Sequence, residues 1–422
     1  MMRVPDGKFS KDLLWNASAF ALSALLGVLV NLLIVRFYDP AALGVFNLVY
    51  ASYILLSQLA VGGVHLAIQA FVPRELAAGR NATPHVIAAL VLSTVTSLLV
   101  MALAWWGREW PGRWFDSPGV SVAFALSIPG LIFFSWNKVL LSFHNGARRM
   151  RLFAVFQFLR FLFLFLGVLY LSIQGASPDR LAITLFWTEA VLAVLLLPIS
   201  IRYWAQPKVA ELGHALRENF RFGNRAMAGN VLLDVNTRVD VLMLGLFTSD
   251  VMVGLYSFAA TVAEGVLQLP VIFRNTINPV LVRAWHNGGP ALLNKVLERN
   301  RRAFFRILAP IIFVTVPLFP VGLWVLGMDE SPILVWSIYA ILALGIGLSA
   351  GHQPFLMLFG QLGKAGTQTG FIAGVFASNV LLNVALIPMF GVYGAALATA
   401  LSYGAMVLLL RKMAGTTFGL RL

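Results

Sequence analysis

The chain reads as an all-α polytopic membrane protein of about 12 transmembrane helices, arranged as two six-helix bundles related by pseudo-two-fold symmetry. Three observations predict this. Of its 422 residues, 59% are apolar and only 11% charged, whereas a soluble domain carries about 25% charged residues. Apolar runs of roughly 20 residues, the length that crosses a bilayer, recur from end to end. Basic residues gather in alternate connections between these runs. There are no cysteines, and the six histidines (His65, His85, His144, His214, His286, His352) stand singly, outside any ligand spacing. Disulfides, thiolate sites and metal chemistry are therefore not expected, and no cofactor is.

The spans follow in order. Residues 13–35 form the first; its apolar stretch is too long for a signal peptide and lacks a small-residue cleavage pattern. Residues 41–72 form the second. The third, 85–106, ends in Trp105 and Trp106, which with Trp110 and Trp114 make an interfacial aromatic belt. The fourth, 118–143, contains Pro129, a candidate kink. Residues 152–174 and 181–201 complete the first half. A longer connection, 202–221, reads as an amphipathic helix on the membrane surface and divides the chain into residues 1–205 and 206–422. The second half begins with 222–247 and 251–280. A second amphipathic connection, 281–302, is broken at Gly288-Gly289-Pro290. Residues 303–327, 332–359, 368–390 and 391–411 complete the set. Pro270, Pro310, Pro317 and Pro354 are further candidate kinks, tolerated where neighbouring helices satisfy the freed carbonyls.

With the N-terminus in the cytoplasm, the connections on that side hold 22 basic residues and the opposite side four: Arg36, Arg108, Arg113 and Arg180. That asymmetry is a positive-inside signal placing both termini in the cytoplasm. The net charge of +14 is then a topology signal, and with no basic soluble domain in the chain it does not point to nucleic acid. Short loops leave no room for the extramembrane domain a membrane glycosyltransferase or polymerase uses.

A shift of 210 positions sets Gly44-Val45-Phe46 on Gly254-Leu255-Tyr256, each opening a helix after a short outer turn. Six spans plus six, both starting inside, are parallel repeats, and transporters built this way hold their site between the halves near the midplane.

Nine ionisable residues fall inside the spans: Lys138, Arg160, Arg225, Arg238 and Arg274, with Glu189, Asp234, Asp240 and Glu264. In the seventh span Asp234, Arg238 and Asp240 oppose insertion by roughly 8–10 kcal/mol, against about 3–6 kcal/mol from its aliphatic residues. That helix needs a polar surround. Asp234 and Arg238, four residues apart, can pair along one helix face. Lys138, Arg160, Arg225 and Arg274 lie in the cytoplasmic half of their spans and the acids deeper, so a mostly positive vestibule open to the cytoplasm is expected, suited to a phosphate or diphosphate. Snorkelling to the headgroups is the alternative for Lys138, Arg225 and Arg274. Asp234, Asp240, Glu189 and Glu264 suit proton or sodium coupling.

Asn31-Leu-Leu-Ile-Val-Arg36 with Ala42-Leu43-Gly44-Val45-Phe46, then Val253-Gly254-Leu255-Tyr256-Ser257-Phe258-Ala259, Asn278-Pro279-Val280-Leu281, Ile387-Pro388 and Gly391-Val392-Tyr393-Gly394-Ala395-Ala396 resemble the polysaccharide flippases. These are the Wzx-type O-antigen transporters of the multidrug/oligosaccharidyl-lipid/polysaccharide exporter superfamily. Asp39-Pro40 departs from the Gly-Pro that many members carry there. The resemblance implies a transporter, not an enzyme, moving an undecaprenyl-diphosphate-linked oligosaccharide across the inner membrane by alternating access, alongside other polysaccharide-assembly proteins. Arg36 is carried over as a substrate-binding residue by the motif itself; Lys138, Arg160, Arg225, Arg238 and Arg274 join it from depth and face. The alternative is a drug or organic-cation antiporter of the same superfamily, which favours an acidic or aromatic interior.

Overall fold

In lipid every backbone N–H and C=O must be satisfied within the protein, which a helix does by itself. The computed structural model describes residues 7–206, 209–325, 327 and 331–420, and every regular element among them is helical. Arg3, Lys208 and Arg421 of the topology count lie outside the described residues, as do the side chains of Lys8 and Lys11.

The chain divides into two compact units, Met1–Tyr38 with Val45–Val235 and Asp39–Gly44 with Asn236–Leu422. The first contains α1 (Gly7–Phe37), α2 (Pro40–Val61), α3 (Val64–Ala77), α4 (Thr83–Trp106), α5 (Trp110–Trp114), α6 (Pro118–Ser127), α7 (Gly130–Gly146), α8 (Met150–Ile173), α9 (Ile183–Ile201) and nearly all of α10 (Val209–Asn236). The opening residues of α2 belong to the second unit, with α11 (Val239–Phe247), α12 (Asp250–Val325), α13 (Pro332–Ser349), α14 (Leu358–Gln361) and α15 (Ala365–Phe418). The division read from sequence, at residue 205, precedes α10.

Among the described residues nine helices are long and apolar enough to cross a membrane, or ten when α6 and α7, bent by 50° at Pro129, count as one span. The count of about twelve differs because α15 counts once and because the expected seventh span is divided between α10 and the nine-residue α11, neither of which is long and apolar enough. α12 and α15 are each two helices merged across a kink, at Gly288-Gly289 and at Gly391. The expected second span breaks into α2 and α3 at Gly62 and Gly63, whose φ values of 61° and 70° glycine adopts without strain. The expected surface helix 202–221 and the start of the seventh span form one helix, α10. Of the candidate kinks, Pro129 and Pro354 sit at breaks, whereas Pro270, Pro310 and Pro317 lie within unbroken helix. The four tryptophans of the expected belt are all exposed; Trp106 meets Trp110 edge to face at 5.1 Å between centroids, and Trp110 meets Trp114 at a tilt at 5.9 Å.

Within the second unit the starts of α2 and α12 cross at backbone contact. A Cβ on Gly44 would overlap the Asp250 carbonyl, and one on Gly254 the Pro40 carbonyl. The contact is reciprocal between positions 210 residues apart, the same shift that aligned the two Gly-aromatic openings. In the first unit, Glu75 at the end of α3 is buried and ion-paired to Arg80 (2.5 Å) and Arg74 (2.8 Å), while Arg74 also reaches Glu218 of α10 at 3.1 Å. The Arg80 hydrogen bond, with help from Arg74, holds the Glu75 carboxyl down at about 2.

Gly44→Ala and Gly254→Ala should each destabilise the protein by about 1–3 kcal/mol, because the obstacle is backbone that no rotamer change relieves; thermal unfolding in detergent measures this. Glu75 has a folded pKa below its unfolded value, so its contribution is full above about 4.5 and is lost as pH falls towards about 2. The melting temperature of wild type should therefore drop more steeply than that of Glu75→Gln across that window.

Candidate functional site

Phe134 and Lys138 sit one turn apart on α7 and share a face. Arg160, two to three turns into α8, reaches the same aromatic ring. The Lys138 ammonium lies 5.8 Å and the Arg160 guanidinium 5.1 Å from the Phe134 centroid. Two cations thus converge on one ring inside the first unit, each about one-fifth exposed, at 22% and 20%.

Each has its own counter-charge. Arg160 pairs with Glu189 of α9, its Nη2 donating to Oε2 at 3.2 Å while Nε lies 2.8 Å from Oε1 in ion-pair contact. Asn137 steadies that carboxylate, its Nδ2 donating at 2.8 Å both to Glu189 Oε2 and to the Glu189 backbone carbonyl. Lys138 donates to Gln58 of α2 and pairs with Asp234 of α10 at 3.3 Å. Asn230, one turn before Asp234, bridges Gln58 and Asp234 with two 3.3 Å hydrogen bonds. Five helices thereby meet around four ionised groups. Lone charges here would each cost several kcal/mol, and pairing plus hydrogen bonds offsets that cost.

The second unit repeats the theme. Arg238, at the N-terminus of α11, donates from Nη2 to Glu264 Oε2 at 3.0 Å. Asp240 is buried and accepts from the Tyr256 hydroxyl at 2.5 Å, from Thr399 at 3.5 Å and from the Val241 N–H at 2.9 Å. In the same unit Asn236, Asn379 and Asn383 form a chain of amides, with Asn379 Nδ2 donating to Asn236 Oδ1 at 3.2 Å and Asn383 Nδ2 to Asn379 Oδ1 at 2.9 Å.

The structure therefore brings Lys138, Arg160, Asp234 and Glu189 together in the first unit, and Arg238 with Glu264 in the second. It leaves Arg36 exposed near the end of α1, Arg225 exposed on α10 and Arg274 half-buried on α12, with no ion pair recorded for any of them among the described residues. The expected excess of positive charge is not what the inner residues make: Lys138, Arg160 and Arg238 each hold a carboxylate, so these pairs are neutral. The helical register expected to join Asp234 to Arg238 is interrupted, since α10 ends at Asn236 and Arg238 has non-helical backbone. Sequence reasoning passed over Asn137, Tyr256 and Thr399. Asn137 carried a signal, a polar amide beside Lys138 in an apolar helix; Tyr256 stood in the Gly-aromatic opening with nothing to mark its hydroxyl as a partner for Asp240, and Thr399 carried none. Among the described residues no group of three or more His, Cys, Asp or Glu side chains is placed to hold a metal ion.

Residues 9–285 match the family described as Polysaccharide biosynthesis protein. This chain belongs to that family. The fold agrees with its membrane character: solved structures similar to it include the lipid II flippase MurJ in an inward closed conformation (TM-score 0.73, 15% identity, 93% of this chain and 86% of that one). An inward-facing multidrug resistance MATE transporter of the MOP superfamily gives TM-score 0.78 at 11% identity, covering 93% and 94%. A MOP superfamily transporter from Pyrococcus furiosus, described as having a binding pocket of reversed polarity, gives 0.68 at 11% identity, covering 96% of each chain. Curated protein sequences give no match. The family member thus has the fold of multi-pass membrane transporters.

Asn137→Ala removes the donor to both the Glu189 carboxylate and its carbonyl. It should destabilise the folded protein by about 1–3 kcal/mol, the cost of leaving a buried acceptor unsatisfied, read as a lower melting temperature. Asn137→Asp should be worse, because it sets a second carboxylate beside Glu189.

Proposed function

We propose that this family member flips an undecaprenyl-diphosphate-linked oligosaccharide across the cytoplasmic membrane, by alternating access, for synthesis of a surface polysaccharide such as O-antigen. The reading takes the chain as twelve passes with both termini in the cytoplasm. The observation that carries it is the pair of partly exposed cations, Lys138 and Arg160, facing one aromatic ring. A diphosphate offers two adjacent anionic groups, and a lysine with an arginine is a chemically matched receptor for them.

The paired state explains how a cationic site survives without substrate. Glu189 and Asp234 keep the cations neutralised in the resting protein, and the diphosphate replaces like charge with like. The displaced carboxylates then need a cation of their own, which is the role proposed for a coupled proton or sodium ion; Glu264 and Asp240 are the corresponding acids of the second unit. Arg238 holds Glu264 as Arg160 holds Glu189, and so joins the substrate-binding set, with Arg36, Arg225 and Arg274 as outlying positive charges. The polyprenyl tail stays in lipid throughout. Drug or organic-cation exchange would instead rest on the carboxylates as the binding groups, with the bases as spectators.

Arg160→Ala should reduce surface polysaccharide at least tenfold in a cell that depends on this chain, at unchanged membrane abundance, and Arg160→Lys should keep part of the activity. Arg238→Ala should behave like Arg160→Ala. Full polysaccharide in both alanine variants, measured by gel of extracted surface glycan, would sink the diphosphate reading; lost resistance to cationic dyes with intact glycan would establish the alternative.

A further inference from the structure

Away from these ion pairs, the first unit has a cleft of about 580 Å³ between the last turns of α3 and the α7–α8 connection, lined by Gln69, Pro73, Leu76, Asn145 and Arg148 among others. The two helices end here, so in an apolar bundle the cleft lies at the level of the lipid headgroups. Its walls are mixed: Pro73 and Leu76 are apolar, Gln69 and Asn145 carry amides, and Arg148 carries the charge.

Five arginines crowd this end on α3, α8 and the connections that follow α3 and α7, and four are committed. Arg74 pairs with Glu75 and Glu218, and Arg80 with Glu75. Arg149 lies 3.6 Å over the Tyr203 ring, and Arg151 5.2 Å over Trp15. Arg148 is exposed and, among the described residues, has neither a carboxylate nor a ring.

Its backbone is also out of place for an arginine. α7 ends in a turn in which Arg148 N–H donates to Asn145 O at 2.9 Å and Arg149 N–H to His144 O at 2.8 Å. That turn puts the intervening residue in the left-handed region, and Arg148 has φ 54°. The corresponding positions after α3 and α8 are Gly79 (φ 68°) and Gly175 (φ 65°), as the turn ordinarily requires. The same hydrogen bonds occupy the His144 and Asn145 carbonyls in the last turn of α7. An arginine held at a glycine position, uncommitted and lining a cavity, is the kind of strained residue that marks a binding site.

We propose that this cleft seats the phosphodiester headgroup of an anionic membrane lipid, with Arg148 on the phosphate, the Asn145 amide and the second N–H of Gln69, whose Nε2 also donates to Ser142 Oγ at 3.3 Å, toward the headgroup's polar atoms, and Pro73 and Leu76 against its glycerol carbons. The occupant is a lipid rather than free phosphate because the apolar wall has no use for an inorganic ion. The site is separate from Lys138 and Arg160 and does not depend on what they bind.

The test is titration of the purified, full-length protein with short-chain phosphatidylglycerol, short-chain phosphatidylcholine and inorganic phosphate, followed by native mass spectrometry. Phosphatidylglycerol should bind saturably and at least tenfold tighter than phosphatidylcholine, with inorganic phosphate failing to displace it at equal concentration. Arg148→Gly should weaken phosphatidylglycerol binding at least tenfold while keeping or raising the melting temperature, since glycine relaxes the turn. Arg148→Lys should keep most of the binding, and Arg151→Ala should leave it unchanged. Equal phosphatidylglycerol affinity in wild type and Arg148→Gly would overturn the proposal, and so would inorganic phosphate competing at parity with the lipid.

Discussion

An ionised side chain cannot remain alone inside an apolar helix bundle. Stripping its hydration costs more than any single aliphatic residue returns, so the bundle must supply an opposite charge, hydrogen bonds or both. This requirement organises the interior of the family member. Arg160 is held by Glu189, Lys138 by Asp234 and Arg238 by Glu264, each across two helices. Asn137, Gln58 and Asn230 then satisfy the oxygens and protons the ion pairs leave over. Where a carboxylate has a weaker claim on a cation, as at Asp240, a tyrosine hydroxyl and a backbone N–H take its place.

If Lys138 and Arg160 bind the substrate as proposed, neutral pairs make a different kind of transport site from an open basic chamber. A cavity of unpaired cations would be costly without substrate and would hold an anion too firmly to release it. A cavity in which every cation already owns a carboxylate is affordable empty, and binding becomes an exchange of one counter-ion for another. The partial exposure of Lys138 and Arg160, about one-fifth each, is what the proposed exchange requires: contact with water together with burial.

Backbone contacts set the frame that holds these pairs. Gly44 and Gly254 let the openings of α2 and α12 cross where any side chain would collide with a carbonyl. Gly62-Gly63 interrupts a helix where the hydropathy trace runs smoothly on, and Gly391 breaks α15 at the boundary between the last two spans. Most of the expected prolines leave no break, because a proline removes one hydrogen bond that a packed neighbour can spare, whereas a residue at positive φ ends the helical path itself.

The sequence by itself determined the class of molecule. Its apolar runs required helices in lipid, the few ionisable residues within them stood out by their insertion cost, and the shift of 210 positions located the paired glycine openings before any contact was known. It also named six of the residues that form the three inner ion pairs. What it left open was who meets whom. Periodicity assigns a residue to a helix face but not to a neighbour, so the nearby Arg238 looked like the partner of Asp234, when Lys138, 96 residues away, supplies the charge. The same limit made the interior look positive, since a count of bases and acids ignores the packing that joins them. Only the tertiary structure decided the pairing, because the energy that fixes it comes from desolvation shared between helices far apart in the chain.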